Sequence, residues 1–389
     1  MQHNTQRDSP NTSAPIKIVL VFVVAHLFLL SLLSIFSLTR LSLGHDPAYE
    51  GTAQAGRMPS WFYGENLNRW DTGWYALIVN EGYTKERTAF FPLYPVLVRW
   101  LTATGMGFVF AASIVSLTAT MIGLWFYYRL AHILLGSSSQ ARNALWLLLF
   151  FPTSFFLFAP YTEGLFFCLL MILLYGLQNK KMFSVTMAGY ALALTRVVGV
   201  FSLILIVGQW IRERKEDGAL KRLLIRSAWV VSGVATYMVY LALRFGDPLA
   251  FAHAQQQWDR NATISPSNIV HRFIQYGKEF QQVYSSENLA PIVTRLTDIG
   301  FFLLLAGVTV LVLRSWRKDY ALWMASMVML PLLSGTFISM PRYVAIVPFI
   351  PLFLARAVNG RESFQWLLTI FIVGWAMAVT MHAAGYWVA

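Results

Sequence analysis

Asp71, in "LNRWDTGWYALIVNEGY", and Glu163, in "APYTEG", are carboxylates set among aromatic and apolar residues. Arg69 in the first stretch, Arg196 in "LTRVVGV" and Arg342 in "SMPRYVAIVP" are guanidinium groups in similar settings. Ionisable groups beside apolar spans are costly to hold and are usually kept for function. A carboxylate can take a proton from an attacking hydroxyl. Arginines bind a phosphate through paired planar donors and stabilise charge that develops on it. The set suits glycosyl transfer from a lipid-linked sugar phosphate, in which the weakly basic phosphate leaves without a general acid. Other lipid-processing chemistry is compatible with it too. No Asp-x-Asp pair and no glycine-rich nucleotide fingerprint occurs, so neither a metal nor another cofactor is expected.

Each residue also has a plainer reading. Asp71 and Glu163 suit the start of a helix, where Asp is a favoured N-cap. Arg196 and Arg342 suit snorkelling toward headgroups. Trp70, Trp74 and Tyr94 suit an interfacial aromatic belt. Arg226 is read as snorkelling inward, and Asp298 as a cap or hydrogen-bond acceptor.

The elements that must carry these residues are membrane spans. The 389-residue chain is 57% hydrophobic and 12% charged, and runs of about 18 or more apolar residues recur along it. An all-α polytopic membrane protein follows, with about eleven transmembrane helices near 18–38, 107–128, 143–159, 163–178, 183–195, 197–211, 223–243, 296–313, 320–338, 343–356 and 364–387. The fifth and sixth are short, and one bent helix is the alternative. Residues 1–17 are expected to be a disordered cytoplasmic N-terminus, and 18–387 a single catalytic domain. The first span lacks a small-residue cleavage site and reads as an uncleaved anchor. Cys168 stands alone and cannot form an intramolecular disulfide.

Charge placement orients the chain. With the N-terminus cytoplasmic, the short inner loops hold fourteen Lys and Arg against five acids, and the short outer turns only Arg196 and Arg342. Those loops carry most of the net charge of +12, which removes the need for nucleic acid as a partner. Loops 39–106 and 244–295 then lie outside, as do Asp71, Glu163, Arg196 and Arg342. In the first loop, Trp70, Trp74, Leu77, Ile78 and Glu81 mark a helix that can lie flat with its aromatic side down. "FFPLYPVLVRWLTATG", residues 90–105, reads as a second surface-lying helix. "AFAHAQQQWDR" in loop 244–295 reads as a third, closing over the acceptor. "WDRNAT" contains a glycosylation-type tripeptide.

"RWDTGWY", "EGY", "FFPLYP", "FPTSFFLFAPYTEGLF" and "TRVVGV", in this order, resemble the PIG-V family. These are the second mannosyltransferases of glycosylphosphatidylinositol assembly and their prokaryotic relatives, of the GT-C class. The resemblance implies a polyprenyl-phosphate mannose donor, an inverting reaction and an extracytoplasmic site. It places the base at Asp71, with Glu163 assisting it or holding the acceptor sugar. Charge and topology add Arg69, Arg196 and Arg342 as donor-phosphate ligands, with orientation of the Asp71 carboxylate the alternative for Arg69. Trp70, Tyr75, Phe91, Tyr94, Tyr161 and Tyr343 are expected along the substrate groove, with Phe90, Pro92 and Pro95 shaping where the lipid enters. Gly164 departs from the Ala or Ser expected after the acid. The acceptor stays open among a glycolipid, a cell-wall glycan and a protein. The membrane would be the plasma membrane in a prokaryote and the endoplasmic reticulum in a eukaryote.

The rival from another class is a lipid-linked sugar transporter. It would show polar residues at mid-span and inverted repeats, whereas here the polar residues gather at one face. GT-C chemistry with another hexose or a phosphoryl group, and a scaffold without catalysis, complete the alternatives.

Overall fold

The computed structural model describes residues 13–40, 60, 62–258, 274, 277, 278, 289–334, 337–358, 360–386 and 388. The described residues form α-helices and short 3-10 turns, with no strand among them. The tripeptide at Asn261 and most of loop 244–295 lie outside this set, as does most of the N-terminal segment.

Five described helices are long and apolar enough to cross a membrane. They are α1 (Ser13–Arg40), α5 (Phe108–Leu135), α10 (Ala219–Phe245), α12 (Leu289–Ser315) and α16 (Arg361–Ala383). Two shorter apolar helices are α7 (Glu163–Gln178), which is almost wholly buried, and α8 (Met182–Thr195). α5 packs on α7, α7 on α8, and α8 on α10. Small residues set the closeness of the last pair: a Cβ at Gly233 would meet the Tyr190 carbonyl and Ala193. The outer faces are apolar, with Leu243, Leu303 and Ile370 exposed, as lipid contact requires.

Two expected spans, the third and the tenth, are interrupted where the chain cannot continue a helix, and others end elsewhere than expected. Residues 143–159 are not one helix: α6 (Ser138–Leu149) stops ahead of Pro152, and a 3-10 turn covers Ser154–Leu157. Proline lacks the donor that a helix interior needs. The irregular chain from Phe155 to Tyr161 is tolerated because protein buries it almost completely. The fifth and sixth spans are not one bent helix either. α8 ends at Arg196, whose backbone is extended (φ −155°, ψ 148°), and a 3-10 turn (Val197–Phe201) leads into α9 (Ser202–Glu213). The ninth span ends at Ser334 of α13 (Lys318–Ser334) rather than at 338. The tenth divides into α14 (Met340–Ala345) and α15 (Phe349–Ala357) around Pro348.

The first long loop holds α2 (Tyr63–Asn66), α3 (Asp71–Glu81), a 3-10 turn (Glu86–Ala89) and α4 (Leu93–Thr102). The buried face of α3 is not the expected tryptophan stripe. It is Thr72, Tyr75, Ile78 and Val79, with Leu77 exposed. Trp70 precedes the helix. α3 packs on α4, and α4 packs on α5, so one side of each of these helices faces protein.

Two charge clusters mark the ends of α7. At its C-terminal end Gln178 touches the Tyr320 hydroxyl, beside Asp319, which pairs with Arg317 and Arg212. Nearby, Lys180 and Arg222 pair with Glu216. The connections at 179–181, 212–222 and 314–319 therefore lie together. The other cluster is at the N-terminal end of α7, about 24 Å away along 16 residues.

Candidate active site

Four elements deliver four charges to that end. α3 begins at Asp71 after a backbone reversal at Trp70 (φ 43°, ψ −107°). α7 begins at Glu163, behind the buried turn that ends in Thr162. Arg196 stands at the break between α8 and α9. Arg342 lies in α14, entered through Ser339 at φ 75°, with the Met340 amide donating to Asp298 on α12 at 3.2 Å. Asp298, read as an acceptor, thus anchors the helix that carries Arg342.

The side chains form one chain of ion pairs. The Asp71 carboxylate accepts from Nη1 of Arg342. Nε of the same guanidinium donates to Oε1 of Glu163 at 2.7 Å. Arg196 donates to Glu163 as well, and lies 3.4 Å from the Thr162 hydroxyl. Two carboxylates offset two guanidinium groups, as buried charges require. Exposure separates the carboxylates: the Asp71 side chain is 22% exposed and that of Glu163 is 0%. Neither caps its helix. Both are the first helical residue, and Trp70 and Thr162 take the N-cap positions without a side-chain cap bond.

Aromatic rings frame the array. Arg342 lies over the Tyr161 ring at 4.8 Å and Arg196 over the Tyr343 ring at 5.7 Å. The Tyr75 hydroxyl reaches the Thr162 hydroxyl at 3.4 Å. Burial first, and then the Asp71 charge, push the Tyr75 phenol above its ordinary pKa, so it stays a neutral donor.

Gly164 follows the buried acid for a steric reason. A Cβ there would strike the Leu157 carbonyl and the Thr120 hydroxyl, both of which hold the buried turn against α5.

Other expected residues are placed elsewhere. Nη2 of Arg69 donates to the Ala383 carbonyl at 2.9 Å, at the end of α16. Trp70 is buried against the His382 ring at 4.7 Å. Tyr94 points into α5, bonded to the Ala112 carbonyl and the Ser116 hydroxyl. Phe91 packs on Tyr237 and Phe251. His253 pairs with Asp247 at the protein surface.

A cavity of about 400 Å³ opens between α3, α4, α8 and α10. Ile78, Pro92, Leu93, Val96, Leu194 and Tyr237 line it, with Arg99 among its few polar contacts. Ile78 lies on α3, which begins at Asp71, and Leu194 is two residues from Arg196, so two helices that line the cavity also lead to members of the array. Pro92 and Pro95, of the run expected to shape lipid access, do line it.

Two contributors were not singled out from sequence. Thr162 joins Tyr75, Glu163 and Arg196 through one hydroxyl. His382 is fully buried in the last span, and an ionisable residue inside a span is the signal that marks it.

A search of curated proteins finds no match to this chain. A family model described as Mannosyltransferase (PIG-V) matches residues 16–223, which hold Asp71, Glu163 and Arg196. That match covers more than half of the 389 residues, and the chain belongs to the PIG-V mannosyltransferase family.

Proposed function

We propose that the chain moves a mannosyl group from a polyprenyl-phosphate donor to a hydroxyl of a glycolipid or glycan acceptor, with inversion, on the extracytoplasmic face. The observation that carries this reading is the array Asp71–Arg342–Glu163–Arg196: one carboxylate open to substrate, tied through a guanidinium to a buried carboxylate that holds a second guanidinium. Asp71 takes the acceptor proton as the oxygen attacks C1 of the sugar. The C1–O bond to phosphate breaks, and polyprenyl phosphate leaves against Arg342 and Arg196. Before donor binding, the Asp71 carboxylate is engaged in an ion pair with Arg342. A phosphate that draws Arg342 toward itself frees the carboxylate, so the base is released when the leaving group is in place. Glu163 sets the spacing of the two guanidinium groups.

The apolar cavity supports a lipid-tethered donor, since an isoprenoid tail can lie between α3, α4, α8 and α10. Eleven crossings with a cytoplasmic N-terminus belong to the same proposal, because they put the basic cluster inside and the array outside. The test is Asp71→Asn in membranes with labelled polyprenyl-phosphate mannose. Turnover is expected to fall by about 10²-fold or more while the donor still binds. Unchanged turnover removes Asp71 as the base.

A further inference from the structure

We propose that the C-terminal end of α16 is a positioning clamp for the base, acting through Arg69 and Trp70; this rests on Asp71 being the base. The segment before Asp71 is held from several directions. Arg69 donates to the Ala383 carbonyl at 2.9 Å. The Tyr161 hydroxyl donates to the Arg69 carbonyl at 2.8 Å. The Trp70 ring meets the His382 ring edge-on at 4.7 Å and 68°. Nε2 of His382 lies 3.5 Å from the Leu67 carbonyl.

Two physical facts give these contacts a purpose. Trp70 has a backbone conformation (φ 43°, ψ −107°) that L-residues avoid and glycine tolerates. Such a residue persists only where its surroundings over-determine it, and its occurrence next to a reacting group is a device for aiming that group. The Ala383 carbonyl is among the last four of α16, which have no partner inside the helix. A guanidinium there both satisfies a carbonyl and complements the negative helix end. The cation expected to bind phosphate is thereby turned away from the substrate and fixed to the scaffold. His382 and Ala383 sit on the buried stripe Phe371, Trp375, Val379, His382 and Ala383, so the clamp is referenced to the bundle rather than to a loop. Misplacing a reacting group by about 1 Å can cost on the order of 10²-fold in rate.

The experiment uses the full chain in membranes, with labelled polyprenyl-phosphate mannose as donor and release of polyprenyl phosphate as readout. Arg69→Met and His382→Ala are expected to lower kcat by about 10- to 100-fold with donor KM within about 2-fold. Arg69→Lys, which can still reach the Ala383 carbonyl, is expected to recover part of the loss. In an Asp71→Asn background, Arg69→Met is expected to cost less than about 2-fold more, since residues that act as a unit are not additive. Folding is followed by yield and thermal midpoint, and Arg69→Lys serves if Arg69→Met does not accumulate. Wild-type kcat in the folded variants, or a full additional loss in the Asp71→Asn background, overturns the clamp. Wild-type turnover by Asp71→Asn itself overturns the base assignment, a separate outcome.

Discussion

Replacing Glu163 with Gln gives an effect whose signs are opposed in the empty and the loaded protein. Gln keeps the volume and one acceptor oxygen but removes the charge. Glu163 is fully buried and receives both Arg342 and Arg196. Removing one partner of a buried ion pair costs about 3–5 kcal/mol, so the empty variant unfolds at a lower temperature than wild type. The array is neutral in wild type and carries one net positive charge in the variant. A donor phosphodiester adds one negative charge, which leaves wild type at −1 and the variant neutral. Two unit charges about 7 Å apart at an effective permittivity of about 20 interact by roughly 2 kcal/mol. Glu163→Gln is therefore expected to bind the donor about 30-fold more tightly. Turnover nonetheless falls by about 10²-fold, because Arg196 and Arg342 lose the negative charge between them and move apart. The assay is thermal unfolding of purified protein with and without a phosphonate analogue of the donor, followed by titration of that analogue. An unchanged midpoint together with weaker binding refutes the reasoning, and would place Glu163 on the acceptor side.

Three further outcomes can be checked. Arg196→Lys gives up the paired planar donors and is expected to raise donor KM about 10-fold; an unchanged KM takes Arg196 away from the phosphate. Gly164→Ala forces a methyl against the Leu157 carbonyl and the Thr120 hydroxyl and is expected to cost about 1–3 kcal/mol, read as a lower thermal midpoint. A wild-type midpoint would mean that the buried turn relaxes freely. Val96→Trp fills the cavity between α3, α4, α8 and α10 and is expected to raise KM for a long-chain donor while sparing a short-chain analogue; equal effects on both would separate the cavity from the lipid tail.

Much of the site was legible because membrane topology restricts where charge can lie. Asp71, Glu163, Arg196 and Arg342 are far apart in sequence, yet inside-outside counting assigned all four to one face, and the structure joins them through bonds no spacing rule describes. Side-chain direction was not legible. Arg69 adjoins Trp70 and Asp71 in sequence but reaches the opposite way, because an unsatisfied helix-end carbonyl lies within its reach. The buried face of α3 was not legible for a similar reason. Tryptophan spacing marked one side of the helix, whereas packing on α4 buries Thr72, Tyr75, Ile78 and Val79. Hydropathy alone also joined α6 to the chain after it: Phe155 to Ala159 are as apolar as a span, and only Pro152 and Pro160 hint that they are not helical.

The order in which the chain is made bears on the buried ion pairs. Asp71, Glu163 and Arg196 are synthesised early, and Arg342 follows about 150 residues after Arg196. At roughly 5–20 residues per second that is an interval of about 7–30 s. During it Glu163 has Arg196 as its partner and Asp71 waits for its own, while α10, α12 and α13 are still being inserted. Arg342 then closes both halves in one step, with α16 arriving after it. Substitutions that slow insertion of the C-terminal third therefore act by prolonging a half-paired intermediate, and their mark is lost protein rather than an altered rate constant.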